Sequence, residues 1–598
     1  MNSSLARVLP IVILAAVLGI VQPASSAPSV EAPKQPTATG TGGAVATVDH
    51  DASQVGMQVL RDGGNATDAA IAAAAALGVT EPYSCGIGGG GFMVVYDASD
   101  GSVSTIDSRE AAPDVFKPDS LIDPDAGEPI PFDERVTSGL GVGVPGTIRG
   151  WEQALGRFGS KPLSELLQPS IRLAARGFVV DQTYRQQTLD NLARFRDFTS
   201  TRKTFLRKGN APAVGSTFRN PALAATYSRV ADGGGSAFYS GRTAQAIVDT
   251  VQKPPVVDGS TRNVRPGLMT MTDLSDYRSL ERAPTVSSYR GFQVYGMGPP
   301  SSGCSTVGEA LNILEGYPMA DLPRDDRDDA LHYFLEASRY AFADRGKYLG
   351  DSAYVYVPLK GLLSDGFAAQ RRSLITDQAA KSPVAPGDPY PYDGGTGSVN
   401  MKSSTAMEGP STTHLTVSDK WGNVVSYTFT IEQTGGSAIT VPGHGFILNN
   451  ELTDFEPVPG LPNSPDGGKR PKSSMSPTIV TRDDGTPVVA LGSPGGSTII
   501  TTALQVLVND LDFGMTLPEA IAAPRASQRN TATTSAEPAF LNTPEAALLK
   551  SQHGQSFTST PEIGAATGIA FLPGGTVQAA AEPVRRGGGS ALVENSVP

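Results

Sequence analysis

The residues best suited to chemistry lie in the stretch MEGPSTTHLTVSDKWGNVVSYTFTIE, residues 407–432, where a Gly, Pro and Ser loop runs straight into two adjacent threonines, Thr412 and Thr413. A threonine hydroxyl is protonated at neutral pH and is a poor nucleophile unless a base lies beside it. One residue can supply both groups. If the bond between Ser411 and Thr412 is cut, the freed α-amine, which titrates near about 7.7–8.0, can take the proton of the Thr412 hydroxyl. The plainer alternative is that Thr412 is a β-favouring residue entering a strand.

Turn chemistry sets which way the threonines face. In SDKWGNV the order Asp419, Lys420, Trp421, Gly422 fits a type I turn closed by a left-handed glycine, so Asp419 pairs with Asn423. Extending the register outward sets Val417 against Val425, Leu415 against Tyr427, Thr413 against Phe429 and Thr412 against Thr430. One face then carries Thr413, Leu415, Val417, Val425, Tyr427 and Phe429. The other carries Thr412, His414, Thr416, Ser426, Thr428 and Thr430, a polar face that converges on two threonines at the open end.

Other reactive residue types are sparse. The five histidines, His50, His332, His414, His444 and His553, are far apart with no ligand spacing, so neither a metal nor another cofactor is expected. Cys85 and Cys304 each stand beside a Gly/Ser-rich turn; in an oxidising compartment an even pair suggests one disulfide, with two buried thiols as the other reading. Gly86, Gly88 and Gly91 in CGIGGGGFMVVYD satisfy G-x-G-x-x-G, but a dinucleotide fingerprint follows a strand and opens a helix. Here a helix precedes and a strand follows, so the glycines are expected to serve close backbone packing.

The elements that must position these groups are legible in outline. With 39% hydrophobic and 18% charged residues, the 598-residue chain can bury a large core, and a net charge of -12 with both signs interspersed offers no basic stripe for nucleic acid. The N-terminus places Arg7 before an apolar run at residues 8–21 and small residues ending at Ala27. That pattern is a secretory signal cleaved after Ala27, the run being shorter than the roughly 20 residues of a membrane span. The mature protein is therefore expected to be soluble and exported, extracellular or periplasmic, with no stable membrane span.

Residues 28–43 read as a Pro/Thr/Gly linker, with order beginning near Ala44. NATDAAIAAAAALGV predicts a buried helix capped by Asn65, and residues 328–348 a scaffold helix with Leu331, Phe334, Leu335 and Phe342 on one face. Residues 381–411 carry so much Pro and Gly that an exposed, mobile strip is expected, ending at the threonine pair. Farther on, a glycine turn at residues 492–496 opens a helix near Ser497. Helical and strand segments interleave without repeat, which gives an α/β or α+β class in one large body.

Several stretches together resemble a known family. STTHLTVSDKWGNVVSYTFT, GFILNNELTDF, RPKSSMSPTIV and GSPGGSTIITT are similar to the small subunit of gamma-glutamyltransferases (gamma-glutamyltranspeptidases), which are N-terminal nucleophile hydrolases. GGNATDAAIAAAAALGV, GIGGGGFMVVYD, IDSREAAP, GVGVPGTIRGWE, PPSSG and EASRYAFADRGKYLGD resemble the large subunit in matching order. The resemblance implies an α+β fold, a four-layer αββα sandwich. It also implies a precursor that cuts itself into a large subunit, 44–411, and a small catalytic subunit, 412–598, which stay together as a heterodimer. Thr412 would attack a γ-glutamyl amide and hold a γ-glutamyl ester, resolved by water or by an amino-acid or peptide amine, with glutathione the usual donor.

Site residues follow from the same resemblance. Arg109 matches the arginine that grips the substrate α-carboxylate, although from the residues alone a surface ion pair with Glu110 is the first expectation. Ser473 and Ser474 match a serine pair assisting there, and Asp454, with Glu432 and Glu451, matches the group that binds the α-amine. Gly495 and Gly496 match an oxyanion hole, and Thr430 the second threonine that hydrogen-bonds the nucleophile. Glu432 and Glu451 stand where some members carry Asn and Gln. The segment EPVPGLPNSPDGG is shorter than in members whose loop covers the pocket, so no lid is expected and longer γ-linked donors could enter. The competing reading is a related acylase or a γ-polyglutamate hydrolase using the same Thr412; retention of Asp454 weighs against the acylases. A catalytically inactive secreted binding protein is disfavoured because every expected catalytic position is filled.

Overall fold

The hairpin forms as two antiparallel strands, Thr413–Ser418 and Val424–Thr430, in the expected register, with Val417 facing Val425, Leu415 facing Tyr427 and Thr413 facing Phe429. Its turn closes through the Asp419 N–H donating to Asn423 at 3.1 Å, with Gly422 at φ +94°. The Asp419 carboxylate also accepts the Ala66 N–H at 2.9 Å, the first residue of the Ala66–Thr80 helix. An acid at a helix N-terminus satisfies an orphan donor and faces the positive end of the helix dipole, so the turn and the helix fix one another.

In this computed structural model, residues 33–322, 327–394, 409 and 411–597 are described; the signal segment and residues 395–408 and 410 of the Pro/Gly-rich strip lie outside the described residues. Among the described residues thirteen strands share one hydrogen-bonded network. On one side of the hairpin, Val424–Thr430 pairs with Gly90–Asp97, followed by Ser102–Asp107 and Leu280–Arg282. On the other, Thr413–Ser418 pairs with Thr37–Thr47, which pairs in turn with Thr576–Ala581 and with Ser590–Ser596. The path continues through Thr567–Leu572, Pro487–Gly492, Thr478–Arg482 and Phe292–Gly296 to Thr285–Tyr289.

That path doubles over into two layers. Ser426 donates its hydroxyl to the Leu491 carbonyl at 3.1 Å and accepts the Thr478 N–H at 3.1 Å, so the hairpin lies against the Thr478–Arg482 and Pro487–Gly492 strands. The Ala66–Thr80 helix packs on the outer face of the first layer, and Gly303–Leu314 and Thr498–Leu511 on the outer face of the second. The result is the α+β, αββα sandwich the resemblance implied. Leu415, Val417, Val425, Tyr427 and Phe429 point outward into the helix layer, where an alanine-rich helix buried along its whole length allows close approach.

The polar face of the hairpin is the inner seam of the sandwich, so its groups must satisfy one another. His414 is fully buried, with Nδ1 2.7 Å from the Thr428 hydroxyl and Nε2 3.1 Å from that of Thr416. Burial pushes its pKa down to about 3, which keeps the ring neutral. Gly492 lies opposite, where a Cβ would come within 2.4 Å of the imidazole.

Four expectations change. Residues 37–43 are not linker: they open the Thr37–Thr47 strand, and Gly40 is wedged so tightly that a Cβ would stand 2.2 Å from the Asn595 carbonyl oxygen. Its partners come from the far end of the chain, which local composition does not disclose. No disulfide forms: Cys85 and Cys304 are free, buried in separate apolar clusters, and burial pushes both thiols up, Cys304 to about 12. The strip at residues 381–394 is anchored, the Val384 N–H donating to Asn530 at 2.7 Å and the Gly387 N–H to Asp344 at 2.5 Å. The Arg327–Tyr348 helix forms where expected but is buried on nearly every face rather than one. The glycines after the Ala66–Thr80 helix do serve close packing, since a Cβ on Gly88 would stand 2.0 Å from the Ile447 carbonyl oxygen and one on Gly89 1.9 Å from that of Thr430.

Candidate active site

At the open end of the hairpin the chain enters the strand through Thr412, whose φ is +89°. Few β-branched residues adopt a positive φ, because Cβ crowds the backbone there. Thr412 is only 5% exposed, and its hydroxyl donates to the Thr430 hydroxyl at 3.1 Å. The Thr430 oxygen also accepts the Glu432 N–H at 2.9 Å, which fixes it opposite Thr412 as the register required.

The bond before Thr412 is held at both ends. The Ser411 carbonyl accepts the Gly495 N–H at 2.9 Å, and the Thr412 carbonyl accepts Nη1 of Arg586 at 2.7 Å. Gly495 has φ +133°, and a Cβ there would lie 2.5 Å from the Thr498 hydroxyl; Gly496 follows at φ +55°. This turn leads into the N-terminus of the Thr498–Leu511 helix, where backbone N–H groups and the dipole both favour negative charge. A carbonyl polarised by such a donor, with a hydroxyl on the next residue, is the arrangement an N-to-O acyl shift needs.

The charged residues gather into one connected cluster. Arg109, 1% exposed, pairs with Glu451 and, at 2.5 Å, with Asp454, and donates to the carbonyls of Pro471 at 3.2 Å and Lys472 at 3.0 Å. The surface pair with Glu110 is therefore corrected: Arg109 turns inward to the acids. Glu432 takes Asn450 and, at 3.3 Å, the Thr453 hydroxyl on one oxygen, and Gln433 at 3.0 Å on the other. Glu432 is thus tied both to Thr430, through its N–H, and to the short Glu451–Asp454 helical turn. Ser473 and Ser474 follow the carbonyls that Arg109 holds. The Ser473 carbonyl accepts both the N–H and the hydroxyl of Ser302 at 2.7 Å, and Arg345 donates to the Ser474 hydroxyl at 2.9 Å.

This cluster is rich in negative charge. Burial raises Glu451 well above the ordinary carboxylate range, with Arg109 opposing and Glu110, Asp454 and Glu432 adding to the rise. Burial likewise raises Glu110 to about 7, against the pull of Arg109. Neither Glu110 oxygen makes a well-formed hydrogen bond; its own backbone N–H and the Glu451 carboxyl are the polar groups beside it. Two buried carboxyls in contact must share a proton. A ligand that brings an ammonium group can replace that proton as the compensating charge.

Thr412, Thr430, Glu432, Glu451, Asp454 and Arg109 thus lie along one network, Ser411 is held by Gly495, and Ser473 and Ser474 follow the carbonyls bonded by Arg109, whereas Cys85 and Cys304 lie in apolar clusters. Sequence reasoning missed Glu110, Asn450, Arg345 and Arg586. Arg345 sat in a quoted motif but looked like an ordinary helix-end base, and Arg586, in VRRGGG, had no local signal at all.

The geometry can be set beside known proteins. The family model described as Gamma-glutamyltranspeptidase matches residues 52–592. The chain belongs to the gamma-glutamyltranspeptidase family. It is 42% identical over 529 residues to a glutathione hydrolase proenzyme of Bacillus subtilis strain 168, covering 86% of this chain and 87% of the relative. To the glutathione hydrolase proenzyme of Escherichia coli K12 it is 38% identical over 502 residues, covering 81% and 80%. Its fold is also similar to the crystal structure of a cephalosporin acylase from Bacillus halodurans, with a TM-score of 0.80, 28% identity and coverage of 96% and 99%. As a gamma-glutamyltranspeptidase family member the chain is an enzyme of hydrolase and transferase type. Among the described residues no helix is long and apolar enough to cross a membrane.

Proposed function

We propose that this chain is an exported proenzyme that cuts itself between Ser411 and Thr412 and then acts as a γ-glutamyltransferase and glutathione hydrolase. The observation that carries the reading is the Ser411 carbonyl held at 2.9 Å by the Gly495 N–H, one residue before a strained threonine whose hydroxyl meets Thr430. In the first reaction Thr412 Oγ1 attacks the Ser411 carbonyl carbon, and Gly495 stabilises the oxyanion. Breaking the C–N bond leaves an ester and a free Thr412 amine, and water releases the Ser411 carboxylate. The chain up to Ser411, including the whole Thr37–Thr47 strand, and residues 412–598 then form the two subunits.

In the second reaction the new α-amine takes the Thr412 hydroxyl proton while that oxygen attacks a γ-glutamyl amide, and the Gly495 N–H, joined by that of Gly496 as the family resemblance implies, faces the oxyanion. The protonated amine serves the leaving group, and water or an acceptor amine resolves the ester. Arg109, with Ser473 and Ser474, takes the substrate α-carboxylate, and Asp454, Glu432 and Glu451 its ammonium. Relatives named as glutathione hydrolase proenzymes support glutathione as a donor.

The test is a denaturing gel with N-terminal sequencing, followed by donor profiling. A smaller band starting Thr412-Thr413-His414 and release of glutamate from glutathione are expected; a persistent single uncut band overturns the reading. The similarity to a cephalosporin acylase favours one alternative, an acylase using the same Thr412. Faster turnover of a glutaryl amide, which lacks the α-ammonium, than of its γ-glutamyl counterpart would select it.

A further inference from the structure

A second cluster of ligand-type side chains lies apart from the threonine network. Asp328 and Asp329 occupy the first turn of the Arg327–Tyr348 helix, and His553 follows the Pro544–Ser551 helix; one ligand atom from each lies within 4.8 Å of the others. Nδ1 of His553 stands 2.8 Å from the Asp377 carbonyl oxygen, so that nitrogen carries a proton and the other is left for the cluster.

Nε2 of His553 lies 3.1 Å from Asp329 Oδ1 and 3.4 Å from Asp328 Oδ2, is buried in a residue only 5% exposed, and makes no hydrogen bond. The two oxygens are at ion-pair distance but off the direction an N–H needs. A shared cation accounts for that offset. It takes the lone-pair direction while carboxylates approach from the sides, with ligand-to-ligand edges of roughly 3.3 Å for tetrahedral bonds of about 2.0–2.1 Å. His332 stacks on His553 with ring centroids 4.4 Å apart, and its Nε2 lies 2.7 Å from the Thr376 carbonyl, which holds the pair of rings in place.

We propose that Asp328, Asp329 and His553 bind one divalent first-row transition-metal ion of the zinc or manganese type. One imidazole and two carboxylates suit such an ion better than the all-oxygen cages of calcium or magnesium, and three protein ligands leave a position for water. The fold supplies what local spacing lacked, because the ligands come from distant parts of the chain. The ion ties the long buried helix to a segment beyond Thr412. Should the chain be cut as proposed above, the same ion joins the two subunits, but binding itself does not depend on the cut.

The test uses full-length, tag-free protein stripped with a chelator and titrated with Zn2+, followed by calorimetry, metal content after dialysis and melting temperature. One ion retained per chain and a raised melting temperature are expected. His553→Gln and Asp329→Asn should each weaken Zn2+ binding by about tenfold or more. The partly exposed Asp329 keeps the test usable if the His553 variant folds poorly, since the melting temperature of the stripped variants reports folding separately. No retained zinc, or undiminished binding in both folded variants, overturns the site and leaves an ordinary ion pair between His553 and the aspartates.

Discussion

The strain at Thr412 can be measured without any catalysis. At φ +89° a non-glycine residue stores about 1–3 kcal/mol, and branching at Cβ places Thr412 toward the upper end. Thr412→Ala and Thr412→Gly both lack the nucleophile, so both should remain uncut. Both also lose the 3.1 Å bond to Thr430, so its net value of about 1 kcal/mol cancels between them. At an unstrained position glycine would be the less stable by about 0.5–1 kcal/mol, through the entropy of the unfolded chain. Here glycine sheds the strain, and subtracting that penalty leaves it more stable than alanine by roughly 0–2.5 kcal/mol. Urea unfolding of the two uncut precursors, followed by one probe, gives the difference from their midpoints. A glycine precursor less stable than the alanine one, as at an unstrained position, would refute the assignment of strain. If the stored energy is released on reaching the transition state of cleavage, 1–3 kcal/mol corresponds to roughly 5- to 150-fold in rate.

Two further outcomes follow from the same site. Gly495→Ala must hold a side chain at φ +133°, 2.5 Å from the Thr498 hydroxyl, so its N–H moves off the Ser411 carbonyl. Cleavage should slow by about 10²–10³, seen as uncut chain accumulating on a gel, and wild-type maturation would remove Gly495 from the oxyanion role. For Glu110, burial raises the folded-state value from the usual 4.5 to about 7, so in that window the folded chain holds more protons than the unfolded one and stability falls as pH rises. Glu110→Gln, made in the uncut Thr412→Ala background, removes that loss. Its stability relative to the parent should climb between about pH 4.5 and 7 and stay level below that range, and parallel pH curves for the two proteins would contradict the shared proton.

Legibility from sequence followed the range of the physics involved. The hairpin register was readable because a type I turn and a period of two fix it within a few residues, and the observed pairing agrees down to Thr413 opposite Phe429. The helix that opens after the glycine turn and the alanine-rich helix were readable for similar local reasons. The Thr37–Thr47 strand was not, since its partners lie near the C-terminus and its own composition is that of a linker. Arg109 was found through family resemblance but misplaced by residue type alone, because a charged residue beside an acid usually sits at the surface. Arg586 and the sharing between Glu110 and Glu451 depend on burial and on contacts across the chain, neither of which a local pattern contains. The polar character of the hairpin's inner face is legible in its alternation, yet its destination between two sheets depends on the whole sandwich.

The place of the first strand has a mechanical meaning. Thr37–Thr47 belongs to the part before the proposed cut, yet it is hydrogen-bonded to Thr413–Ser418, Thr576–Ala581 and Ser590–Ser596, all from the part after it. Gly90–Asp97, also from the first part, clasps Val424–Thr430. The two products of cleavage would therefore be woven rather than docked. Neither could be withdrawn, exchanged or supplied separately without tearing the sheet, so a severed backbone would leave the molecule as hard to pull apart as an intact one.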